Sequence, residues 1–172
     1  MKKRMRHLTL LILLALTGCG YHTAGSATHL PANVRTLAVP IFTTRVQAFH
    51  TEMVFTQAVI RELNTRTKYV ITNTDKDDDA TLTGTIINQS VAPLTYDSST
   101  SQTSSYLVTV TASISLTAHD GRTLYQNPAI TYREQFQSTQ DLSGFIQENG
   151  PAINRLSRDF AQALVGDMLE SF

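Results

Sequence analysis

The sequence predicts an α+β domain: a mixed, mostly antiparallel sheet with two main amphipathic helices packed on one face, and a long central hairpin. Three observations carry this. From Tyr106 to Ala118 the apolar residues Tyr106, Val108, Val110, Ala112, Ile114, Leu116 and Ala118 alternate with Thr109, Thr111, Ser113, Ser115 and Thr117, with Leu107 the one exception. That period of two is a half-buried antiparallel strand with one wet face. From Thr51 to Arg66 the residues Phe55, Val59 and Leu63 recur four apart, and Met53, Ala58 and Ile60 widen the stripe. Near the C-terminus Ile153, Leu156, Phe160, Leu164 and Met168 recur three or four apart. Both stripes are helical, and helices apolar on one side pack on a sheet apolar on one side.

The N-terminus is a different kind of segment. Lys2, Lys3, Arg4 and Arg6 precede an uncharged stretch from Leu8 to Leu16, the charged and apolar parts of a secretory signal. The run is far shorter than the ~20 apolar residues a membrane-spanning helix needs. It ends in Leu16-Thr17-Gly18-Cys19, which resembles the bacterial lipobox. The resemblance implies acylation of the Cys19 thiol and cleavage before it, so that residues 1–18 leave and Cys19 becomes the first residue. Stable anchoring takes more than one acyl chain, and a multiply acylated cysteine holds a soluble domain on a bilayer. Gly20 stands where an inner-membrane retention signal would be Asp, which by resemblance favours the outer membrane. Residues 19–34 then form a lipidated tether, and residues 35–172 a single domain.

Within that domain, residues 35 to 39 read as a first strand between Pro31 and Pro40, followed by a loop from Thr43 to Phe49 and the helix over 51–66. Tyr69-Val70-Ile71 is a second short strand. Asp75-Lys76-Asp77-Asp78-Asp79 invites a calcium loop, but Ala80 and Ile86 stand where the loop pattern needs Gly and Glu, and a solvated connector is the better reading. A long strand runs from Ala80 to Leu94, with Leu82, Gly84 and Ile86 on one face. A change of phase at Ile87-Asn88 predicts a bulge, and Pro93 is expected to end regular pairing. The economical partner of this strand is 106–118, joined through the tip Asp97, Ser98, Ser99, Thr100, Ser101, Gln102, Thr103 and Ser104. His119-Asp120-Gly121-Arg122 is a tight turn. The next strand covers 123–125, is interrupted at Asn127-Pro128, and resumes over 129–137, Pro128 marking an edge or a bulge. Asp141-Leu142-Ser143 starts a short helix that Gly150-Pro151 breaks, with Pro151 opening the final helix.

Composition bounds the chemistry. The precursor has 172 residues, with 14 Lys plus Arg and 14 Asp plus Glu. Four of the basic residues leave with the signal, so the mature chain has 10 against 14 and is mildly acidic. With no basic helix or zinc spacing, nucleic acid is not an expected partner. Cys19 is the single cysteine, so no internal disulfide can form. No His-Glu-x-x-His, Gly-x-Ser-x-Gly or phosphate-cradling glycine loop occurs, and no catalytic residue, metal site or cofactor is expected.

The run Leu16-Thr17-Gly18-Cys19-Gly20-Tyr21-His22, then Gly25, Leu30-Pro31 and Val34 to Phe42, resembles the LptE family of LPS-assembly lipoproteins. Ala80-Thr81-Leu82-Thr83-Gly84-Thr85-Ile86 and the Tyr106 to Asp120 strand are similar to it as well. The resemblance implies a non-catalytic outer-membrane lipoprotein that faces the periplasm, partners and plugs the LptD β-barrel, and takes part in lipopolysaccharide transport. A narrow domain with Ser/Thr strand faces and the 97–104 tip suits a polar barrel lumen. Lipopolysaccharide carries phosphates, and by charge alone Arg122, Arg133, Arg155 and Arg158 are candidate contacts. Two other classes remain open on the sequence: a lipid-anchored scaffold for another envelope pore of secretion or curli type, and a tethered periplasmic hydrolase.

Overall fold

A computed structural model describes residues 34–47, 50–74, 78–96, 98–99, 103–137 and 142–171. The lipobox cysteine and most of the tether lie outside them. The elements are β1 (Thr36–Ala38), β2 (Thr43–Thr44), α1 (Thr51–Arg66), β3 (Val70–Thr72), β4 (Ala80–Tyr96), β5 (Thr103–Ala118), β6 (Thr123–Gln137) and α2 (Leu142–Glu170). The sheet runs β3-β1-β4-β5-β6, with β2 also paired to β4. β1 is parallel to β3 and to β4, and β2 is parallel to β4. The three long strands are antiparallel. The α+β architecture read from the sequence is the observed one.

Both helices cover one face of this sheet. Alternate residues of a strand point to opposite sides, and on β5 Val108, Val110, Ala112, Ile114 and Leu116 are all buried. Against them pack Phe55, Val59 and Leu63 of α1 and Leu156, Phe160, Leu164 and Met168 of α2. The two helices meet where the rings of Phe55 and Phe160 lie 4.9 Å apart, and Tyr132 of β6 meets Phe160 edge-on at 5.8 Å. These are the residues of the two helical stripes.

The bulge foreseen in β4 is present: the pairing steps from Ile86↔Ala112 to Asn88↔Thr111, leaving Ile87 as the extra residue. β6 is one strand, and its interruption at Pro128 takes the form of a second bulge. Between Ala112↔Ile130 and Ile114↔Asn127, three residues of β6 span two of β5. Because β6 is also the sheet edge, a residue without an N–H is tolerated there.

One expectation holds in part and two need correction. Regular pairing ends at Pro93, opposite Tyr106, but β4 continues to Tyr96 through register shifts between Pro93 and Thr95 and between Thr95 and Tyr96. Beyond Ile86, β5 is its one paired neighbour among the described residues, and on such an open edge proline breaks no second ladder. Thr43-Thr44, expected as loop, pairs with Thr85-Ile86. The two expected C-terminal helices are one, α2, which runs through Gly150-Pro151. Proline removes one helical hydrogen bond, and around it the Asn154 side-chain amide donates to the Gly150 carbonyl at 3.0 Å. Both Gly150 and Pro151 are exposed, while Ala152, Ile153 and Leu156 directly after them are buried. Packing of that face offsets the lost bond.

Candidate functional site

The face of the long strands turned away from the helices is a field of hydroxyls. Register places Thr81 opposite Thr117, Thr83 opposite Ser115, Thr85 opposite Ser113 and Ser90 opposite Thr109. On the other side of β5, Thr111 faces Thr131. Several of these pairs bond directly: Thr111 and Thr131 hydroxyls at 2.9 Å, Thr43 and Thr85 hydroxyls at 2.9 Å, and the Thr83 hydroxyl to the Ser115 carbonyl at 3.3 Å. Cross-strand pairs of this kind contribute about 0.2–1 kcal/mol each. They knit the wet face together through neutral hydroxyls.

At its far end the hairpin loses the cover of the core. Residues Ser90 to Tyr96 of β4 are all exposed, Leu94 at 46% and Tyr96 at 63%. Of the expected tip, Ser98 and Ser99 form a turn, and Thr103 and Ser104 belong to β5. Asp97, Thr100, Ser101 and Gln102 lie outside the described residues. The Thr95 hydroxyl meets those of Ser104 and Ser105 at 2.8 and 2.5 Å, closing the hairpin just below the tip. On the helix side of the same end, Tyr106 stacks on Phe136 at 5.5 Å.

The four candidate arginines do not form one cluster. Arg122 sits in the turn at the near end, where its Nε donates to Asp120 at 2.7 Å and its backbone N–H to the same carboxylate at 3.1 Å. Those bonds hold the Asp120 carboxyl below the usual carboxylate range. Arg155 of α2 donates to Glu134 of β6 at 2.6 Å. Arg133, paired in register with Thr109, stands on the hydroxyl face. Arg158 is exposed on α2. Neither Arg133 nor Arg158 is in an ion pair among the described residues.

Two aspartates of the acidic connector do something the sequence did not disclose. Asp79 accepts the backbone N–H groups of Arg35 and Thr36 at 2.7 and 2.9 Å and the Thr36 hydroxyl at 3.1 Å, while its own N–H donates back to that hydroxyl at 2.9 Å. Those bonds, led by the one from the Arg35 backbone, hold its carboxyl low. Asp78 accepts the Thr72 hydroxyl at 2.6 Å. Together they lock the start of β4 to β1 and β3. Nothing in the run Asp75 to Asp79 distinguishes a strand clamp from a solvated connector. Among the described residues, no three of His, Cys, Asp and Glu converge to hold a metal ion.

Tyr125 of β6 donates to Asp167 of α2 at 2.6 Å. Burial, followed by that hydrogen bond, pushes its pKa up to about 12. Burial also raises Tyr132, helped by the charges of Asp159 and Asp167. Both phenols face α2 and serve packing.

With three long antiparallel strands, one wet hydroxyl face and two helices on the other, the molecule is an α+β domain with a mixed open sheet. The sequence from residue 34 to residue 168 matches the family model described as LptE, lipopolysaccharide-assembly, and the chain belongs to that family. No curated protein matches the sequence. Among solved structures the fold is similar to rare lipoprotein B from Shewanella oneidensis, at 11% identity over 79% of this chain and 95% of that one, with a TM-score of 0.50. It is similar to lipoprotein B from Nitrosomonas europaea, at 13% identity over 80% and 86% of the two chains, TM-score 0.51. A protein from Chlamydia trachomatis matches at 11% identity over 79% and 98%, TM-score 0.53. At these identities the likeness is one of fold.

Proposed function

We propose that the chain is an outer-membrane lipoprotein, acylated at Cys19 and facing the periplasm, that partners and plugs an LptD-type β-barrel in lipopolysaccharide assembly. The family match over residues 34–168 is the observation that carries this reading. The geometry is compatible with it in a specific way. The lumen of a large outer-membrane barrel is polar, and the field of paired hydroxyls on β4, β5 and β6 can exchange hydrogen bonds with such a wall. The hairpin end, with its 97–104 tip, is the part that leads. Direct contact with lipopolysaccharide phosphates falls to Arg133 and Arg158 before Arg122 and Arg155, whose guanidinium groups already serve Asp120 and Glu134.

The test is affinity purification from detergent-solubilised outer membranes, using a C-terminal tag that leaves Cys19 free, with mass spectrometry of what co-elutes. One large β-barrel protein in near-equal amount is the expected result. Recovery of a ring-forming pore, or of no barrel protein, refutes the partnership.

A further inference from the structure

At the end of the fold opposite the hairpin tip, a cavity of about 400 Å³ opens between the C-terminal ends of the two helices and the edge of the sheet. Val34, Tyr69, Val70 and Leu169 make its apolar lining, and Arg35, Arg66 and Lys68 its charges. Among the described residues, no acidic side chain lines it. Arg66 is partly committed, its Nε bonded to Glu62 at 2.5 Å. The Arg35 guanidinium and the Lys68 ammonium are in no ion pair among the described residues. The Leu63 carbonyl at the end of α1 is satisfied by Thr67, whose N–H and hydroxyl donate to it at 2.8 and 2.7 Å. Three cations around an apolar floor at the edge strand complement a ligand with an anionic head and an apolar body.

The place where the chain enters the fold narrows the choice. Val34, a lining residue, follows Cys19 by fifteen residues, so an extended tether spans at most about 50 Å. If Cys19 is acylated, as the proposed function has it, this end of the domain is held near a bilayer surface and the lipid headgroups there are at high effective concentration. The geometry points to a site for the phosphate of an anionic glycerophospholipid, by which the cationic end of the fold rests on the membrane that anchors it. Arg35 and Lys68 take the phosphate, and the first methylenes of the lipid meet Val34, Val70 and Leu169.

The full lipoprotein in a neutral detergent is titrated with dihexanoylphosphatidylglycerol, with dihexanoylphosphatidylcholine and with inorganic phosphate, reading the backbone amide shifts of residues 67–70 by NMR. The expected result is saturable binding of the anionic lipid, about tenfold tighter than that of the zwitterionic one, and about tenfold weakened in Lys68→Gln or Arg35→Gln. Equal binding of the two lipids, or no change in either variant, overturns the site. Saturation by inorganic phosphate with no gain from the lipid makes it a free-anion site and overturns the membrane role. Thermal melts of both variants separate lost binding from lost fold. The intact mass reports acylation of Cys19 independently, and co-purification of a barrel tests the proposed function separately.

Discussion

Gly84 lies in β4 between Leu82 and Ile86, on the face turned to the core, and the ring of Phe42 rests flat on it. A Cβ added there stands 2.6 Å from Cγ and Cδ2 of Phe42 and 2.7 Å from Cδ1. Phe42 has little room to yield: it is 2% exposed, and its backbone N–H donates to the Thr56 hydroxyl of α1 at 2.9 Å. Gly84→Ala therefore sets two effects against each other. Replacing glycine in a strand gains about 0.5–1 kcal/mol in conformational entropy. Forcing a methyl into a packed core costs about 1–3 kcal/mol. The second prevails, and a net loss of about 1–2 kcal/mol is expected. For a chain of this length that is about 2–8 °C in Tm. Urea denaturation followed by circular dichroism measures it. Adding Phe42→Leu to Gly84→Ala removes the clash, so the double variant should lose less than the sum of the two single changes, with a coupling of about 1 kcal/mol. A neutral or stabilising Gly84→Ala, or strict additivity of the pair, refutes the contact.

The clamp at Asp79 predicts an acid limb. Its carboxyl is held below the usual range in the folded state, so its contribution is complete above the unfolded value of about 3.9 and is lost as pH falls through the folded one. Asp79→Ala should lower the melting temperature at pH 7 and flatten the fall between about pH 4 and pH 2; an unchanged acid limb counts against the clamp. Tyr125 gives the opposite sign. Its pKa is about 12, so stability is flat below about pH 10 and declines as pH rises from there toward the folded value. Tyr125→Phe should cost about 1 kcal/mol at neutral pH and remove that decline, which a spectroscopic titration paired with melts would reveal. Pro151→Ala restores a helical N–H at an exposed position of α2 and should stabilise by about 1–3 kcal/mol. A loss of stability in that variant would mean that the ring itself packs.

What could be read from the sequence follows the strength of local periodicity. The alternation over Tyr106 to Ala118 and the stripe over Thr51 to Arg66 are each long enough that one face must be apolar. The structure buries Val108, Val110, Ala112, Ile114 and Leu116 and Phe55, Val59 and Leu63 accordingly. The bulge at Ile87 was legible because an extra residue inverts the phase of all that follow. Gly150-Pro151 misled for the converse reason. Two local helix breakers argue for a boundary, but burial of Ala152, Ile153 and Leu156 on the core side is a tertiary gain that no local rule contains.

The functional surfaces divide along the same line. The hydroxyl face was legible as the wet half of an alternating strand. The cationic cavity was not, since its charges come from Arg35 just before β1, Arg66 at the end of α1 and Lys68 in the link from α1 to β3. They become neighbours because β1 and β3 are parallel, with Thr36 beside Val70. A parallel pair brings together residues on the near sides of both strands across an intervening helix, here α1. The same topology accounts for the clamp: parallel pairing of β1 with β4 sets Leu37 beside Ala80, which brings Asp79 within reach of the Arg35 and Thr36 amides. The antiparallel hairpin thus gives the molecule a surface readable residue by residue, and the parallel half gives it a charged end that the fold alone assembles. If the barrel partnership holds, the first surface meets protein, and the second is left to meet the membrane.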